Sequence, residues 1–377
     1  MNSTSEPART VAFRYPRRVI VRSVLRVLGR IAMRFLTRPT VTGAENFPQS
    51  GPVILVGNHV AMLEAVMMVL YAPYLVELIG TGEIPLDPRY SWAVDWFGYI
   101  PIRRGAMDRE ALTAALDVLK QGGVVGIFPE GGIWESAAKK GKSGVAWLSY
   151  QSGAPVVPIG FGGIDGALKA AFNLKRPAVT MNVGHTIAAI NGETDGKARK
   201  TALEEAAAYI MGQVDGLIPE ADKKRWRRVY DERFELQLVV QNHGGEVVGI
   251  PPELTVKRPD MLAKFFHRPL MLDVFVRNLK LPVQALQTLD TEHDSQKLAQ
   301  AADVILNYLK TNPHFLTYRF GYDEGGAMEA GLRELRDIGY WAEKEDLKMI
   351  ITPIRRFRQR GQEGEFVEMN PGSIPLL

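Results

Sequence analysis

The sequence predicts an α/β layered domain with a mostly parallel central sheet, preceded by an N-terminal amphipathic helix and followed by a smaller C-terminal α+β unit. Three observations predict it. Short continuous apolar runs alternate with helical patterns over roughly residues 39–218. Arginines recur at near-helical spacing ahead of them, and the texture changes after a charged patch from Glu220 to Arg233. At 377 residues the chain is too long for one small core, and it carries no fixed-period repeat or low-complexity tract.

The first element lies within residues 1–38, which hold nine arginines and one acid, Glu6, and therefore +8 of charge, leaving the remainder at −4. Arg14, Arg18, Arg22, Arg26, Arg30, Arg34 and Arg38 alternate with Ile20, Val21, Val24, Leu25, Leu28, Ile31, Ala32 and Phe35. On a 3.6-residue helix the two sets gather on opposite halves of the circumference. An arginine every turn prevents a transmembrane span, and the interrupted apolar core argues against a secretory signal. An in-plane membrane anchor is expected of residues 14–38, with the apolar face among acyl chains and the arginines near anionic headgroups. Two other readings stay open: a helix packed on its own domain with a solvated basic face, and an Arg-rich mitochondrial transit peptide.

In the central domain, "PVILVG" (residues 52–57) reads as a strand buried on both faces, and "YLVELIG", "FGYIPI", "GVVGIF", "PVVPIGF" and "AVTMNVG" repeat the pattern. Helices are expected over residues 61–71, 107–121, 144–152 and 197–214. Ser143 to Ile164 contains no charge, but Gly153, Pro155, Pro158, Gly160, Gly162 and Gly163 divide it into a short helix and a strand, so no transmembrane helix is predicted. Residues 219–377 form the last unit: a hairpin turning at Gly244 and Gly245, helices at 295–310 and 326–338, and strands near "FLTYRFGY" and "LKMIITPIRRF". No chemical motif stands out there.

Composition removes several chemistries. The chain has no cysteine, which excludes disulfides and thiolate nucleophiles. Its six histidines are scattered, none at the spacing of a helical metal site. No metal, no other cofactor and no nucleic-acid partner is expected, and no G-x-S-x-G elbow suggests a serine hydrolase.

His59 closes the first buried strand, where open α/β sheets present ligands, and Glu64 sits on the helix that follows. A carboxylate there would accept a hydrogen bond from one ring nitrogen, fix the tautomer and stabilise the imidazolium once the other nitrogen takes a proton. Taken alone, the same pair also arises by chance at structural positions. Its company is more specific: "VTGAENFPQSGPVILVGNHVAMLE", then "FGYIPIRRG", "GGVVGIFPEGGIW" and "KKGKSGVAWLSYQSGAPVVPIGF".

This ordered series resembles the glycerophospholipid acyltransferase family, which includes the 1-acylglycerol-3-phosphate (lysophosphatidic acid) acyltransferases and carries N-H-x4-D, G-x-I-x-I-x-R, F-P-E-G-T-R and V-P-[VI] in that order. The matching residues are Asn58, His59 and Glu64; Gly98, Ile100, Ile102 and Arg104; Phe128, Pro129, Glu130 and Gly131; and Val157, Pro158 and Ile159. The resemblance covers about residues 40–185. It implies a membrane-associated O-acyltransferase that moves a fatty acyl group from acyl-CoA or acyl carrier protein to a lipid hydroxyl, foremost lysophosphatidic acid, at the cytoplasmic face of a membrane as a peripheral protein. His59 would be the general base, Glu64 its orienter, and the acceptor hydroxyl would attack the thioester directly. Arg103 and Arg104 suit bidentate phosphate binding; Asn58, Glu130, Gly131 and Gly132 would complete the acceptor site. Lys139, Lys140 and Lys142 are either an anion-binding cluster or a solvated loop.

Two departures matter. Glu64 stands where the family usually has Asp, so it must bend back or its helix must sit further away. "FPEGGIW" replaces F-P-E-G-T-R, putting Gly132 and Ile133 in place of a hydroxyl and an arginine. That leaves a non-phosphorylated or glycolipid acceptor open, with Trp134 against it or in the wall, and also a non-catalytic lipid-binding protein of the same fold.

Overall fold

A computed structural model describes residues 13–82, 91–104, 108–130, 143–191, 196–226, 230–267, 279, 292–359 and 364–368. The first unit is built on a seven-stranded sheet in the order β1 (Arg38–Thr42), β7 (Ala178–Val183), β6 (Val156–Gly162), β2 (Val53–Gly57), β5 (Val124–Ile127), β3 (Val76–Thr81) and β4 (Ile100–Ile102). Every neighbouring pair is parallel except β6 with β7. The fold is therefore α/β with a mostly parallel sheet. Each residue of β2 is buried, and the pleat deals them alternately: Val53 and Leu55 into one core layer, Ile54 and Val56 into the other.

Helices α2 (Leu63–Tyr71), α4 (Arg109–Lys120), α5 (Gly144–Ser152) and α7 (Gly196–Leu217) fall where apolar periodicity anticipates them. Three elements of this unit had no sequence signal: β1, whose "RPTVT" lies at the sheet edge with no residue buried, and the short helices α3 (Ser91–Phe97) and α6 (Ala167–Phe172). A further short helix, α8 (Glu220–Trp226), occupies the charged patch, and its Asp222 accepts from Gly163 N at 3.1 Å, tying it to the first unit.

The N-terminal helix α1 (Val19–Leu36) lies on this unit with a polarity that the sequence does not reveal. Arg22 and Arg26 turn inward. Arg22 is fully buried, pairing with the buried Glu77 of β3 at 2.5 and 2.8 Å and donating to the carbonyls of Phe97 and Gly98 at 2.7 and 3.1 Å. Arg17 joins the same carboxylate at 3.0 Å. Arg26 donates to Ala72 O, and Arg30 to Leu70 O at 2.6 Å, at the C-terminal end of α2. The guanidinium groups of Arg22 and Arg26 thus bind a carboxylate and carbonyls of the protein, whereas Arg30, though it reaches a carbonyl, and Arg34 are exposed. The outward face is apolar: Ile20 is 80% and Phe35 74% exposed, with Val24, Val27, Leu28 and Ile31 between them. Trp92 and Trp96 of the adjoining α3 are exposed as well. Among the described residues no helix is long and apolar enough to cross a membrane.

Beyond α8, an antiparallel sheet runs β10 (Glu292–Asp294), β11 (Lys348–Gln359), β8 (Tyr230–Gln241), β9 (Val247–Val248), with β12 (Val367–Glu368) also on β11. The β8–β9 turn carries Gly245 at φ +85°, where a Cβ would be strained. Helices α9 (Pro259–Phe266), α10 (Ser295–Thr311), α11 (Phe315–Phe320) and α12 (Tyr322–Lys344) close a separate core around Leu262, Phe265, Ile305, Leu332, Met349 and Ile351. The strand expected near "FLTYRFGY" is instead α11. Its aromatic residues favour extended backbone by propensity, but Phe315 and Leu316 bury together against α12, and that packing decides the conformation.

Candidate active site

The carboxyl ends of β2, β5, β3 and β4 point to one edge of the sheet, because the four are mutually parallel. The chain leaves β2 through Asn58 and His59 and enters α2, whose first turn carries Glu64. Gly57 sets the approach: a Cβ there would lie 2.7 Å from the Phe161 ring and 3.0 Å from the Phe128 ring. Only glycine lets both rings close over this turn.

His59 and Glu64 meet. The imidazole Nδ1 lies 2.8 Å from Glu64 Oε1, and the Glu64 side chain is fully buried while that of His59 is 21% exposed. The same oxygen accepts from Val60 N at 2.5 Å and Ala61 N at 2.7 Å. The extra methylene of glutamate is thus used to fold the carboxylate back over the turn, where three donors hold it at the positive end of α2. A carboxylate on Nδ1 fixes the proton there and leaves the Nε2 lone pair as the basic position. The imidazole also stacks on Phe128, centroids 4.7 Å apart at 22°, which fixes its plane.

Glu130 lies on the other side of His59, its Oε1 accepting from His59 N at 3.2 Å. Burial pushes this carboxyl up to about 7, against the lowering by the His59 N–H and the His59 charge, with Glu64 adding to the rise. Near neutral pH the site therefore contains a carboxyl that changes charge beside the imidazole.

Asn58, next to the base, is buried. Its Nδ2 donates to Phe161 O at 3.2 Å and its Oδ1 accepts from Phe161 N at 2.7 Å. Both ends of the amide bond to β6, a brace that continues the β2–β6 ladder past Gly57. Arg103 and Arg104 follow β4 on the same edge of the sheet, Arg103 exposed and Arg104 half-buried. Three strand spacings separate β4 from β2, about 14 Å, so the backbone that carries the arginines lies on the same sheet edge as the His59 turn but three strands away. Asp108 steadies that corner: it accepts from Arg103 N at 2.9 Å and caps α4 through Ala111 N at 3.1 Å. Gly131 and Gly132, with Ile133, Trp134, Lys139, Lys140 and Lys142, lie outside the described residues.

Sequence reasoning missed Phe128 as the platform under His59 and Phe161 as the anchor of Asn58. Phe128 was legible in principle, since it opens the "FPEG" block at the end of the strand next to β2.

Residues 38–162 match the family model described as Acyltransferase. The 1-acyl-sn-glycerol-3-phosphate acyltransferase of Borreliella burgdorferi (strain ATCC 35210 / DSM 4680 / CIP 102532 / B31) is 26% identical over 123 residues, which are 32% of this chain and 49% of that protein. The chain thus spans about half the length of this curated relative. Among solved structures, the 1-acyl-sn-glycerophosphate (LPA) acyltransferase PlsC from Thermotoga maritima matches with a TM-score of 0.39 and 19% identity, over 52% of this chain and 81% of that one.

Proposed function

Residues 38–162 belong to the glycerophospholipid acyltransferase family, and from that premise we propose that the protein transfers a fatty acyl group from acyl-CoA or acyl carrier protein to a lipid hydroxyl, that of lysophosphatidic acid foremost. The observation that carries this reading is the contact of His59 Nδ1 with the buried Glu64 carboxylate. His59 Nε2 accepts the proton of the acceptor hydroxyl as its oxygen bonds to the thioester carbonyl carbon. Glu64 stabilises the resulting imidazolium. Collapse of the tetrahedral adduct breaks the carbon–sulfur bond, and the departing thiolate takes the proton back from Nε2. No covalent acyl-enzyme is required.

Lysophosphatidic acid is favoured as acceptor by the paired Arg103 and Arg104 at the same sheet edge and by the named activity of the Borreliella relative. A second acceptor class, a non-phosphorylated or glycolipid hydroxyl, is favoured by Gly132 and Ile133, which replace the threonine and arginine of the family motif. The protein would work as a peripheral membrane protein on the cytoplasmic face, seated through the apolar face of α1 with Trp92 and Trp96 beside it.

Thiol release from palmitoyl-CoA, measured with lysophosphatidic acid, monoacylglycerol and a glycolipid as acceptors, tests the reaction. His59→Ala is expected to lower the rate about 10²- to 10⁴-fold; equal rates for native protein and variant would remove the catalytic reading.

A further inference from the structure

The unit after residue 230 has so far no part in the chemistry, yet it reaches the sheet edge where the acceptor would bind. The guanidinium of Arg104 lies over the ring of Tyr318, 5.7 Å from its centroid, and Tyr318 belongs to α11 of that unit. The geometry points to Tyr318 as a positioning residue that holds Arg104 for an anionic headgroup, making α11 one wall of the acceptor site. This rests on the reading of Arg104 as a phosphate-holding group.

Three features support it. The two adjacent arginines differ: Arg103 is exposed, whereas Arg104 is half-buried with its Nη2 fully enclosed. Contact with the Tyr318 ring together with the enclosure of Nη2 fixes where the guanidinium sits. Without a platform, an arginine at the end of an edge strand loses rotamer entropy when it closes on a ligand; contact with the ring removes part of that loss beforehand.

The platform itself is fixed. Phe315 and Leu316 of α11 are buried in the core of the second unit, and Arg319 lies over the Phe315 ring at 4.0 Å while donating to Phe315 O at 2.8 Å. Gly325 of α12 permits the seat: a Cβ there would stand 2.8 Å from Thr317 N and 2.9 Å from Leu316 C. Those are backbone atoms, so a side chain at 325 would shift α11 and carry Tyr318 with it. The second unit therefore couples to the acceptor site through one aromatic side chain on a tightly seated helix.

The experiment uses the full chain, with binding measured calorimetrically for dispersed lysophosphatidic acid and monoacylglycerol, and with KM and kcat from thiol release. Tyr318→Ala is expected to weaken lysophosphatidic acid binding and raise its KM about three- to tenfold, moving kcat by less than twofold; Tyr318→Phe, which keeps the ring, is expected to restore both. Gly325→Ala is expected to act in the same direction. In an Arg104→Ala background the Tyr318→Ala effect should vanish. Arg104→Ala weakening lysophosphatidic acid binding while Tyr318→Ala leaves it within twofold would overturn the positioning role and leave the phosphate reading standing. Arg104→Ala without effect, or native protein binding both lipids alike, would overturn the phosphate reading and this inference with it.

Discussion

Replacing Arg22 by methionine tests how α1 is held. The side chain is fully buried, and its guanidinium makes two hydrogen bonds to Glu77 and one each to Phe97 O and Gly98 O. Breaking a buried ion pair by removing one partner costs about 3–5 kcal/mol, since the remaining charge is stranded. Here Glu77 keeps Arg17, one-quarter exposed and 3.0 Å away, which places the cost near the lower end. Two carbonyls that lose a charged donor offset that relief. About 3 kcal/mol remains. For a unit of roughly this size, each kcal/mol moves the thermal midpoint by about 2–4 °C, so a fall of about 6–12 °C is expected. Thermal unfolding followed by circular dichroism checks it. The double variant Arg22→Met with Glu77→Leu is expected to recover most of the loss, because a buried pair exchanged for apolar residues is often neutral. A midpoint for Arg22→Met within 2 °C of the native protein would refute the argument that this pair fastens α1 to β3.

Other outcomes follow from the same structure. Glu64→Gln keeps an acceptor oxygen for Val60 N and Ala61 N but removes the charge that steadies the imidazolium; kcat in the thiol-release assay is expected to fall about 10²- to 10⁴-fold with the fold intact. The raised Glu130 carboxyl makes the folded state hold a proton that the unfolded chain releases, so native stability declines as pH rises from 4.5 through about 7. Glu130→Gln, read by urea unfolding, is expected to match native stability at pH 4 and exceed it by about 3 kcal/mol at pH 8. Replacing exposed Leu28 and Ile31 by glutamine removes about 1 kcal/mol of insertion each, so partitioning into vesicles should drop about 30-fold. Binding by native protein that survives 0.5 M salt would distinguish this apolar contact from a headgroup attraction, which salt of that strength screens.

The strands that position the site were legible because burial on both faces leaves a continuous apolar run, as in β2 and β5; β1 was hidden because an edge strand can be as polar as "RPTVT". His59 and Glu64 were legible as a pair from spacing at a strand end. What spacing does not encode is the use of an oxygen: Glu64 Oε1 serves the imidazole and two backbone amides at once, while the amide of Asn58, next to the base, bonds at both ends to the backbone of Phe161. Nor does sequence proximity join Arg104 to Tyr318, which are brought together only by the packing of two units.

The polarity of α1 exposes a limit of amphipathic patterning. A helical pattern divides a sequence into two faces, and burying the apolar one is the default. That default fails when the surface beneath offers acceptors. Under α1 lie the Glu77 carboxylate, the carbonyls of Phe97 and Gly98, and the last carbonyls of α2, which carry the negative end of its dipole. Such groups need cations, and the arginines supply them. Gly29 admits the Leu70 side chain of α2, a Cβ there falling 2.6 Å from Leu70 Cδ2, so α1 and α2 approach closely enough for Arg26 and Arg30 to reach their carbonyls. Helix α2 is consequently held at both poles, by Glu64 folded over its N-terminal turn and by arginines at its C-terminal end. The helix that carries the orienter of the base is thereby the one to which α1 is pinned, and the apolar side chains of α1 are left facing outward as a consequence of where the acceptors lie.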